Sequence, residues 1–398
     1  MCGIVGFTGK RDCVNILIDG LKALEYRGYD SAGVAVTGPD GKIKTVKKQG
    51  RISNLEKETG SLVGSCGIGH TRWATHGGPS DRNSHPHSSG IFTVVHNGII
   101  ENFLDLKIEL VNSGAYFTSD TDTEVVAHLL RKFYKGDFME AVRKTVSLLK
   151  GSYALAILCE DQPGKIAVAK KDNPLIIGKG NGENFIASDI PAIASHTKDI
   201  YVLKDGESAL ISPDKIDFYD SELNVTSREF EKVDIDAASL NKGRFESYML
   251  KEIFEIPQAL KDTCDCLSGT ELPEDFINVL KSTPSITIVA CGTAYNSAMA
   301  ARYFIENLTR IPVNVEIASE FRYRNPIIAE NSLFVAVSQS GETADTIAAV
   351  KLAKSLGAYV TVITNVASSS ITTFADYTIH TKAGAEIAVA ATKSYNCQ

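Results

Sequence analysis

The sequence of 398 residues contains no long hydrophobic run and no excess of positive charge. No apolar segment approaches the roughly 18–20 residues of a membrane span. The N-terminus lacks the basic start and apolar stretch of a secretory signal. A net charge of −7 gives no electrostatic reason to expect nucleic acid or an anionic membrane as a partner. The sequence therefore predicts a protein that binds neither.

Cysteine is sparse, with eight residues scattered along the chain. This distribution suits a reducing compartment better than a disulfide-stabilised secreted domain. Cys264 and Cys266 form a C-x-C pair, but no second pair or nearby histidine completes a metal site. We therefore expect a cytoplasmic protein, and nothing in the sequence implies a metal or an organic cofactor.

The first part of the chain, to about residue 230, alternates short apolar runs with turns. Residues 152–171 form two alternating runs joined by a Pro-Gly loop, which predicts a β-hairpin. Residues 11–28 space their apolar side chains as an amphipathic helix does. Strands that connect mostly to their neighbours predict antiparallel sheets with helices packed outside.

The pattern changes after about residue 240, where a helical segment precedes five apolar runs that alternate with helices. Such alternation predicts an α/β doubly wound parallel sheet covered on both faces. The charged segment 225–245 is the expected linker, so we predict domains at 1–240 and 241–398.

The chain begins MCGIVGF, with Cys2 directly behind the initiator methionine. After removal of Met1, Cys2 would carry a thiol and a free α-amine whose reference pKa is roughly 7.7–8.0. The amine could take the thiol's proton, directly or through a water, and make the sulfur nucleophilic. The alternative is a small, partly buried apolar residue.

Three further motifs concentrate polar chemistry, and each also has a purely structural interpretation. In GHTRWATHGGPSDRNSHPH, Arg72 offers a planar fork for a carboxylate, but it could equally pair with an aspartate in a polar turn. In TVVHNGIIEN, Asn97 and Gly98 could form a hairpin turn or supply the two donors of an oxyanion hole. In SDTDTEVVAHLL, Thr121 and Glu124 match a capping box, while Asp122 could favour the helix dipole or hold an ammonium group.

Together with LEYRGYDSAG, HPH and the N-terminal motif, these segments closely resemble the glutamine-dependent amidotransferases of the N-terminal-nucleophile type. The pair EYRGYDSAG and HTRWATHG is similar, more narrowly, to the glucosamine-6-phosphate synthase family, and the resemblance covers essentially the whole chain. It implies that the first domain is an α+β N-terminal-nucleophile amidohydrolase sandwich, with two antiparallel sheets between helices. The second domain would be a sugar isomerase domain.

The resemblance also implies residue roles. Cys2 would be the nucleophile that takes the γ-glutamyl group, and Asn97 with Gly98 would form the oxyanion hole. Arg72 would bind the glutamine carboxylate and Asp122 its ammonium group. The remaining implied positions are Thr75 and His76 lining the pocket, Trp73 gating an internal ammonia passage, Arg27 ordering the Cys2 end, and His85 reaching toward the sugar site.

In the second domain, two loops follow apolar strands and lead into helices. One of them, SQSGET, places hydroxyl and backbone donors at a helix N-terminus, where an anion is favoured. Hydroxyl and backbone donors without a lysine favour a phosphate monoester over a nucleoside triphosphate, and the absence of a P-loop and of G-x-G-x-x-G argues against P-loop and dinucleotide sites. Ordinary N-capping is the alternative. The family resemblance implies that fructose 6-phosphate is bound by Cys291, Gly292, Thr293, Ser338, Gln339, Ser340, Thr343 and Val389.

Three departures from the family pattern are visible. Ala294 and Ala391 each stand where the family commonly has serine, which removes two hydroxyl groups. The family has two isomerase domains and this chain has one, so its Schiff-base lysine and isomerising glutamate find no match, and we expect a truncated form. The pattern of residues 385–398 predicts a helix without a stop signal, with Lys393 as a charge near the helix end that complements the helix dipole.

The sequence thus predicts an enzyme that hydrolyses glutamine at Cys2. In the complete family protein this is coupled to conversion of fructose 6-phosphate into glucosamine 6-phosphate. The expected partners are L-glutamine, fructose 6-phosphate and a second copy in a homodimer. Two rival hypotheses are a glutaminase or different amidotransferase, and a sugar-phosphate sensor whose isomerase-type domain only binds its ligand.

Overall fold

The computed structural model describes residues 2–233, 242–329, 332–367, 369–388 and 390–398. The chain divides into two compact units, residues 1–239 and 240–398. Of the predicted linker, residues 234–241 lie outside the described residues. Among the described residues, no helix combines the length and the apolar character that crossing a bilayer requires.

The first unit is built mainly from strands. In chain order they are β1 (Gly3–Thr8), β2 (Ser31–Thr37), β3 (Ile43–Gln49), β4 (Cys66–Arg72), β5 (His87–Ser89), β6 (Phe92–Ile100), β7 (Gly151–Cys159), β8 (Ile166–Lys171), β9 (Ile176–Lys179), β10 (Asn184–Ala187), β11 (Asp199–Val202), β12 (Ser208–Ile211), β13 (Ile216–Tyr219), β14 (Val225–Thr226) and β15 (Glu231–Lys232). Its helices are α1 (Val14–Ala23), α2 (Ile52–Glu56), α3 (Phe103–Asn112), α4 (Glu124–Phe133) and α5 (Phe138–Val146).

These strands form two sheets, in the orders β15-β11-β9-β10-β1-β4-β2-β3 and β14-β13-β12-β8-β7-β6-β5. Their ladders are antiparallel, including the predicted β7–β8 hairpin. One apolar cluster draws residues from both sheets and fills the space between them, as Ile68 of β4 and Val95 of β6 illustrate. Two further clusters pack α1 and α2 on one outer face and α3–α5 on the other. The predicted sandwich of two antiparallel sheets between helices is confirmed.

The period-2 alternation of side chains decides which residues reach the layer between the sheets. Ile68 of β4 is buried there, so His70 and Arg72 of the same strand point to the same side. Val95 of β6 is buried there as well, which turns Asn97 inward. The polar residues of the N-terminal motifs therefore meet at one end of an otherwise apolar layer.

The second unit contains a parallel sheet and its covering helices. The strands are β16 (Ile286–Ala290), β17 (Val313–Ile317), β18 (Leu333–Ser338), β19 (Tyr359–Thr364) and β20 (Tyr377–His380), the five apolar runs predicted as strands. The helices are α6 (Tyr248–Ser268), α7 (Glu274–Ser282), α8 (Gly292–Thr309), α9 (Ala318–Phe321), α10 (Ala344–Ser355) and α11 (Lys393–Cys397). The strand order β17-β16-β18-β19-β20, parallel throughout, confirms the doubly wound prediction.

The end of the chain corrects the prediction of a helix over residues 385–398. Among the residues of this segment that the structure describes, only Lys393–Cys397 is helical. The backbone N–H groups of Ile387 and Ala388 donate to the carboxylate of Glu252 at 2.5 and 3.1 Å. A side chain from α6 thus takes the donors that a helix would use internally.

Lys393 is not a charge that complements a helix C-terminus either. It is the first residue of α11, its side chain is 5% exposed, and its Nζ pairs with Glu255 at 2.7 Å. The capping box predicted for Thr121 and Glu124 is also wrong. Thr123 occupies the N-cap, and the Glu124 carboxylate accepts from the backbone N–H groups of Thr118 and Ser119 instead.

Candidate active site

The predicted glutamine-site residues converge in the first unit. A single pocket is lined by Cys2, Arg72, Trp73, Thr75, His85, His96, Gly98, Thr121, Asp122 and Thr123. Six of these were predicted for the glutamine site, namely Cys2, Arg72, Trp73, Thr75, Gly98 and Asp122, whereas His85 was predicted to reach toward the sugar site. The pocket is bordered by Cys2 directly before β1, by Arg72 at the end of β4, and by His96 and Gly98 of β6.

The Cys2 side chain is held at the mouth of this pocket by the backbone of Trp73. The Trp73 N–H donates to Sγ at 3.3 Å, and Sγ lies 3.6 Å from the Trp73 carbonyl. Burial raises the pKa of the Cys2 thiol, and the Trp73 hydrogen bond only partly offsets this. The resting sulfur is therefore a thiol that requires a base before it becomes a nucleophile.

Two side chains hold the backbone of Cys2. Arg27 donates from Nε to its carbonyl oxygen at 3.0 Å, and Asn97 donates from Nδ2 to the same oxygen at 3.2 Å. The second Nδ2 proton of Asn97 goes to Ser188 Oγ at 3.2 Å. Asn97 is thus aimed at the Cys2 end of the chain, and Arg27 occupies the position that the family resemblance implied.

Asn97 and Gly98 lie inside β6, so the hairpin-turn interpretation of this dipeptide is wrong. Gly98 adopts φ +124°, a conformation that favours glycine, and a Cβ there would stand 2.1 Å from the Ser152 carbonyl oxygen. The strand requires glycine at the position where it borders the pocket.

The two terminal nitrogens of the Arg72 guanidinium differ in their hydrogen bonding. Nη2 donates to the carbonyl oxygens of His76 and Gly77 at 2.5 and 2.8 Å, which fixes the loop that follows β4. Nη1 is buried without a hydrogen-bond partner among the described residues. Since an unmatched buried guanidinium donor is costly, an anionic ligand is the natural partner for it.

Asp122 and His76 occupy the predicted region with partners of their own. The Asp122 carboxylate, 4% exposed, accepts from the backbone N–H of Ile100 at 2.8 Å while it borders the pocket. The His76 ring lies edge-on to Phe103 with centroids 5.1 Å apart. Trp73 is 44% exposed and makes an edge contact with Tyr29 at 5.5 Å.

Sequence reasoning missed three polar residues that line the pocket, His96, Thr121 and Thr123. His85 Nδ1 accepts from the His96 backbone N–H at 3.2 Å, so His85 Nε2 carries the proton that faces Thr123 Oγ1 at 3.3 Å. Thr123 Oγ1 in turn lies 2.9 Å from His96 Nδ1. Burial lowers the pKa of His85 and of His96, so both rings are neutral. A role for His85 at the sugar site stays a prediction.

In the second unit, the predicted sugar-phosphate residues sit at the carboxyl ends of two adjacent strands. Cys291 is the N-cap of α8 directly after β16, followed by Gly292 and Thr293. Ser338 ends β18, and the loop through Gln339, Ser340 and Thr343 leads into α10. Thr346 of α10 approaches the Cys291 sulfur at 4.0 Å, which joins the two loops. Val389 lies outside the described residues.

The topology explains why these two loops meet. After β16 the chain forms β17 on one side of β16 and then β18 on the other side of β16. The crevice between the carboxyl ends of β16 and β18 is therefore a topological switch point, where open α/β sheets bind ligands. Ser338 Oγ accepts from the Gly341 N–H at 3.1 Å and shapes this loop. The Glu342 carboxylate is bonded to the Ser370 N–H at 2.6 Å.

The comparisons with known proteins cover both units. A glutamine amidotransferase domain model matches residues 70–195, and a SIS domain model matches residues 279–398. The chain is 50% identical over 408 residues to glutamine–fructose-6-phosphate aminotransferase (isomerizing) of Clostridium tetani. It is 51% identical over 408 residues to the enzyme of the same name from Caldanaerobacter subterraneus. Both alignments cover 100% of this chain and 67% of the relative.

Among solved structures, the chain is similar to the glutamine phosphoribosylpyrophosphate amidotransferase of B. subtilis complexed with ADP and GMP. The TM-score is 0.51 at 20% identity, covering 96% of this chain and 91% of that chain. This similarity concerns the fold alone.

Proposed function

The chain belongs to the glutamine–fructose-6-phosphate aminotransferase family, and from that premise we propose that its residues 1–240 hydrolyse glutamine at Cys2. The observation that carries this proposal is a cysteine thiol in a pocket that also contains the guanidinium of Arg72, whose buried Nη1 has no hydrogen-bond partner in the described part of the chain. That nitrogen suits the α-carboxylate of glutamine, and Asp122 in the same pocket suits its ammonium group.

The chemistry proceeds in two steps. The Cys2 α-amine, freed by removal of Met1, takes the thiol proton, and the sulfur attacks the γ-amide carbon of glutamine. The resulting oxyanion is stabilised by Asn97 Nδ2 and the Gly98 N–H. The C–N bond then breaks, ammonia leaves with the transferred proton, and water hydrolyses the thioester to glutamate.

Two features of the pocket support the α-amine as the base. Cys2 has a raised thiol pKa and therefore needs a proton acceptor. His85 and His96 are poor candidates because burial lowers their pKa and because their Nδ1 atoms already face hydrogen-bond partners.

The Asn97 contact with the Cys2 carbonyl is long at 3.2 Å and is readily exchanged for a charge-assisted bond to the oxyanion.

The experiment is a glutaminase assay on Cys2→Ala, with Cys13→Ala as the matched control. Cys13 is a buried thiol near the N-terminus that packs in the outer apolar cluster. Cys2→Ala should abolish glutamate release, and Cys13→Ala should retain it. Normal turnover by Cys2→Ala, or by protein whose Met1 is shown by mass spectrometry to be retained, would refute the mechanism.

We further propose that residues 241–398 bind fructose 6-phosphate in the crevice between the ends of β16 and β18, with ammonia from Cys2 destined for its amination. The free N–H groups at the start of α10 and the hydroxyls of Ser340 and Thr343 suit a phosphate monoester. Calorimetric titration of fructose 6-phosphate should show weakened binding in Thr343→Val. The control Thr373→Val, at an exposed threonine after the ligand loops, should bind as the wild type does. Equal affinity of the two variants would contradict the assignment.

A homodimer and a cytoplasmic location stay predictions. All eight cysteines lie in the described part of the chain and are free thiols, as expected in a reducing compartment. Sedimentation equilibrium of the full chain tests the dimer, and cell fractionation tests the location.

A further inference from the structure

His70 and Asn97 meet between the two sheets of the first unit. His70 is the inward residue before Arg72 on β4, and Asn97 is the inward residue on β6. His70 Nε2 lies 3.0 Å from Asn97 Oδ1 and 2.9 Å from the backbone carbonyl oxygen of His96. Both residues are buried, at 0% and 3% exposure.

The backbone carbonyl determines the tautomer of His70. A carbonyl oxygen can only accept, so the nitrogen that contacts it must carry the proton. Nε2–H is therefore the donor, and the ring must present that same donor to Asn97. The tautomer in turn determines the amide. Facing a donor, Asn97 must present its oxygen, which turns Nδ2 toward Cys2 and Ser188.

We propose that His70 is a positioning residue that fixes the amide of Asn97 with its N–H groups toward the backbone carbonyl of Cys2 and toward Ser188. This inference rests on the proposed glutamine hydrolysis, because it assigns the orientation of one oxyanion donor. Without the Nε2–H, the amide loses one of the two contacts that distinguish its oxygen from its nitrogen, and only the longer bond from Nδ2 to the Cys2 carbonyl oxygen at 3.2 Å still does so. A flipped amide would place Oδ1 against the Cys2 carbonyl oxygen and leave no amide donor facing Cys2.

The surroundings of His70 favour the neutral form of the ring with the proton on Nε2. The ring stacks on His85 with centroids 4.1 Å apart and planes inclined by 15°. Its Nδ1 is buried without a partner among the described residues, which costs free energy. The hydrogen-bond contacts of the ring are therefore those of Nε2. Burial lowers the pKa of His70 to about 3, so the ring stays neutral over the working pH range.

The test is the pair His70→Gln and His70→Met, which are similar in size but differ in the terminal donor. Glutamine can offer an N–H near the position of Nε2, and methionine cannot. For His70→Met we expect kcat for glutamine hydrolysis to fall by about 10–100-fold, less than for loss of an oxyanion donor itself. KM should change by less than about threefold, because Arg72 and Asp122 are untouched. His70→Gln should recover most of kcat.

The matched control is the same pair of substitutions at His128, another buried histidine of this unit, which bonds to Ser89 Oγ at 3.0 Å and does not line the pocket. Both His128 variants should keep kcat. Wild-type kcat in His70→Met, or equal losses in the two His70 variants, would overturn the proposal. If the wild type does not hydrolyse glutamine, the proposed function fails rather than this inference.

A measurement on the wild-type chain makes the inference independent of variant folding and of activity. Nitrogen-15 NMR of histidine-labelled protein reports the tautomer of each ring, and the His70 signal is assigned in the wild-type chain by through-bond correlation. A neutral Nε2–H tautomer throughout the neutral pH range is expected. A protonated ring or the Nδ1–H tautomer would overturn the orientation argument.

Discussion

The guanidinium of Arg27 binds the carbonyl oxygen of Cys2 through Nε at 3.0 Å and the carboxylate of Asp189 through Nη1 at 3.0 Å. Arg27 is 8% exposed, so its guanidinium is largely shielded from solvent, while the Asp189 carboxylate is 35% exposed. The residue thereby connects the start of β1 to the loop after β10, and it holds the backbone from which the thiol projects.

Arg27→Met should reduce the turnover of glutamine more than its binding. The substitution frees the Cys2 carbonyl, and a misplacement of about 1 Å at a reacting group costs up to about 100-fold in rate. We expect kcat to fall by about 10–100-fold while KM stays nearly constant, measured by steady-state glutaminase kinetics. Arg11→Met is the control, since Arg11 also pairs with a carboxylate of this unit but its side chain is 50% exposed. A rise in KM alone would assign Arg27 to substrate binding.

Asn97→Ala and Arg72→Met should show opposite kinetic signatures. Loss of one oxyanion donor should lower kcat by about 10²–10³ with a smaller effect on KM. Loss of the guanidinium should mainly raise KM, because the glutamine carboxylate is bound equally in the ground and transition states. Arg82→Met, at an exposed arginine that pairs with Asp120, controls for general effects on the neighbouring loop. The reverse pattern would show that the two roles are wrongly assigned.

Much of this site could be predicted from sequence because its chemistry lies in short motifs on strands of period 2. The alternation Ile68, His70, Arg72 was itself a signal that His70 faces the same layer as Arg72. Ser188 offered no such signal, since its partner Asn97 is 91 residues away. The alternation of apolar and polar residues predicted the strands, whereas contacts between residues far apart in sequence determine which polar groups meet.

The local predictions that failed did so for the same reason. The capping box at Thr121 assumed that Glu124 bonds within its own helix, whereas its carboxylate serves Thr118 and Ser119. The helix predicted over 385–398 assumed local backbone bonds, whereas Glu252 takes the N–H groups of Ile387 and Ala388. In both cases a buried carboxylate outcompetes a local preference that is worth only a fraction of a kcal/mol per residue.

Gly98→Ala should damage the first unit, and Gly136→Ala provides a control with matched backbone strain. Both glycines have positive φ, +124° and +99°, but a Cβ at Gly136 meets nothing within 4 Å. Gly136→Ala should therefore lower the free energy of unfolding by about 1–2 kcal/mol. Gly98→Ala should cost about 1–3 kcal/mol more, because its Cβ collides with the Ser152 carbonyl. Chemical denaturation checks this, and equal losses would contradict the clash.

The stability of the first unit should fall as the pH drops below about 6.5. Burial lowers the pKa of His70 to about 3 and also lowers those of His85, His87 and His96. Below about pH 6.5 the unfolded chain binds protons that the folded chain does not, so each such histidine costs about 1.4 kcal/mol per pH unit. This stability is fully present above the unfolded pKa and is lost as the pH falls.

The measurement is denaturant unfolding between about pH 7 and pH 5, above the range of ordinary carboxylates, followed by the fluorescence of Trp73, the single tryptophan. His87→Phe should reduce the pH dependence by one histidine relative to the wild type. Stability that is independent of pH across this window would show that these rings are not buried as neutral groups.

Removing Glu255 and removing Lys393, which form an ion pair in the second unit, should lower its stability by different amounts. Lys393 is 5% exposed and Glu255 is 37% exposed, with Lys251 as a further neighbour of Glu255 at 3.6 Å. Glu255→Gln leaves a buried ammonium group without its carboxylate, whereas Lys393→Met leaves a carboxylate that water and Lys251 can still reach. We therefore expect the free energy of unfolding to fall by about 2–4 kcal/mol for Glu255→Gln and by clearly less for Lys393→Met.

Hydrogen exchange of peptides covering 381–398 should report the same order, because these residues contact α6 through Glu252 and Glu255. The double variant should recover part of the loss of Glu255→Gln, since it removes the stranded charge. A larger loss for Lys393→Met than for Glu255→Gln would show that the carboxylate, and not the ammonium group, is the buried charge.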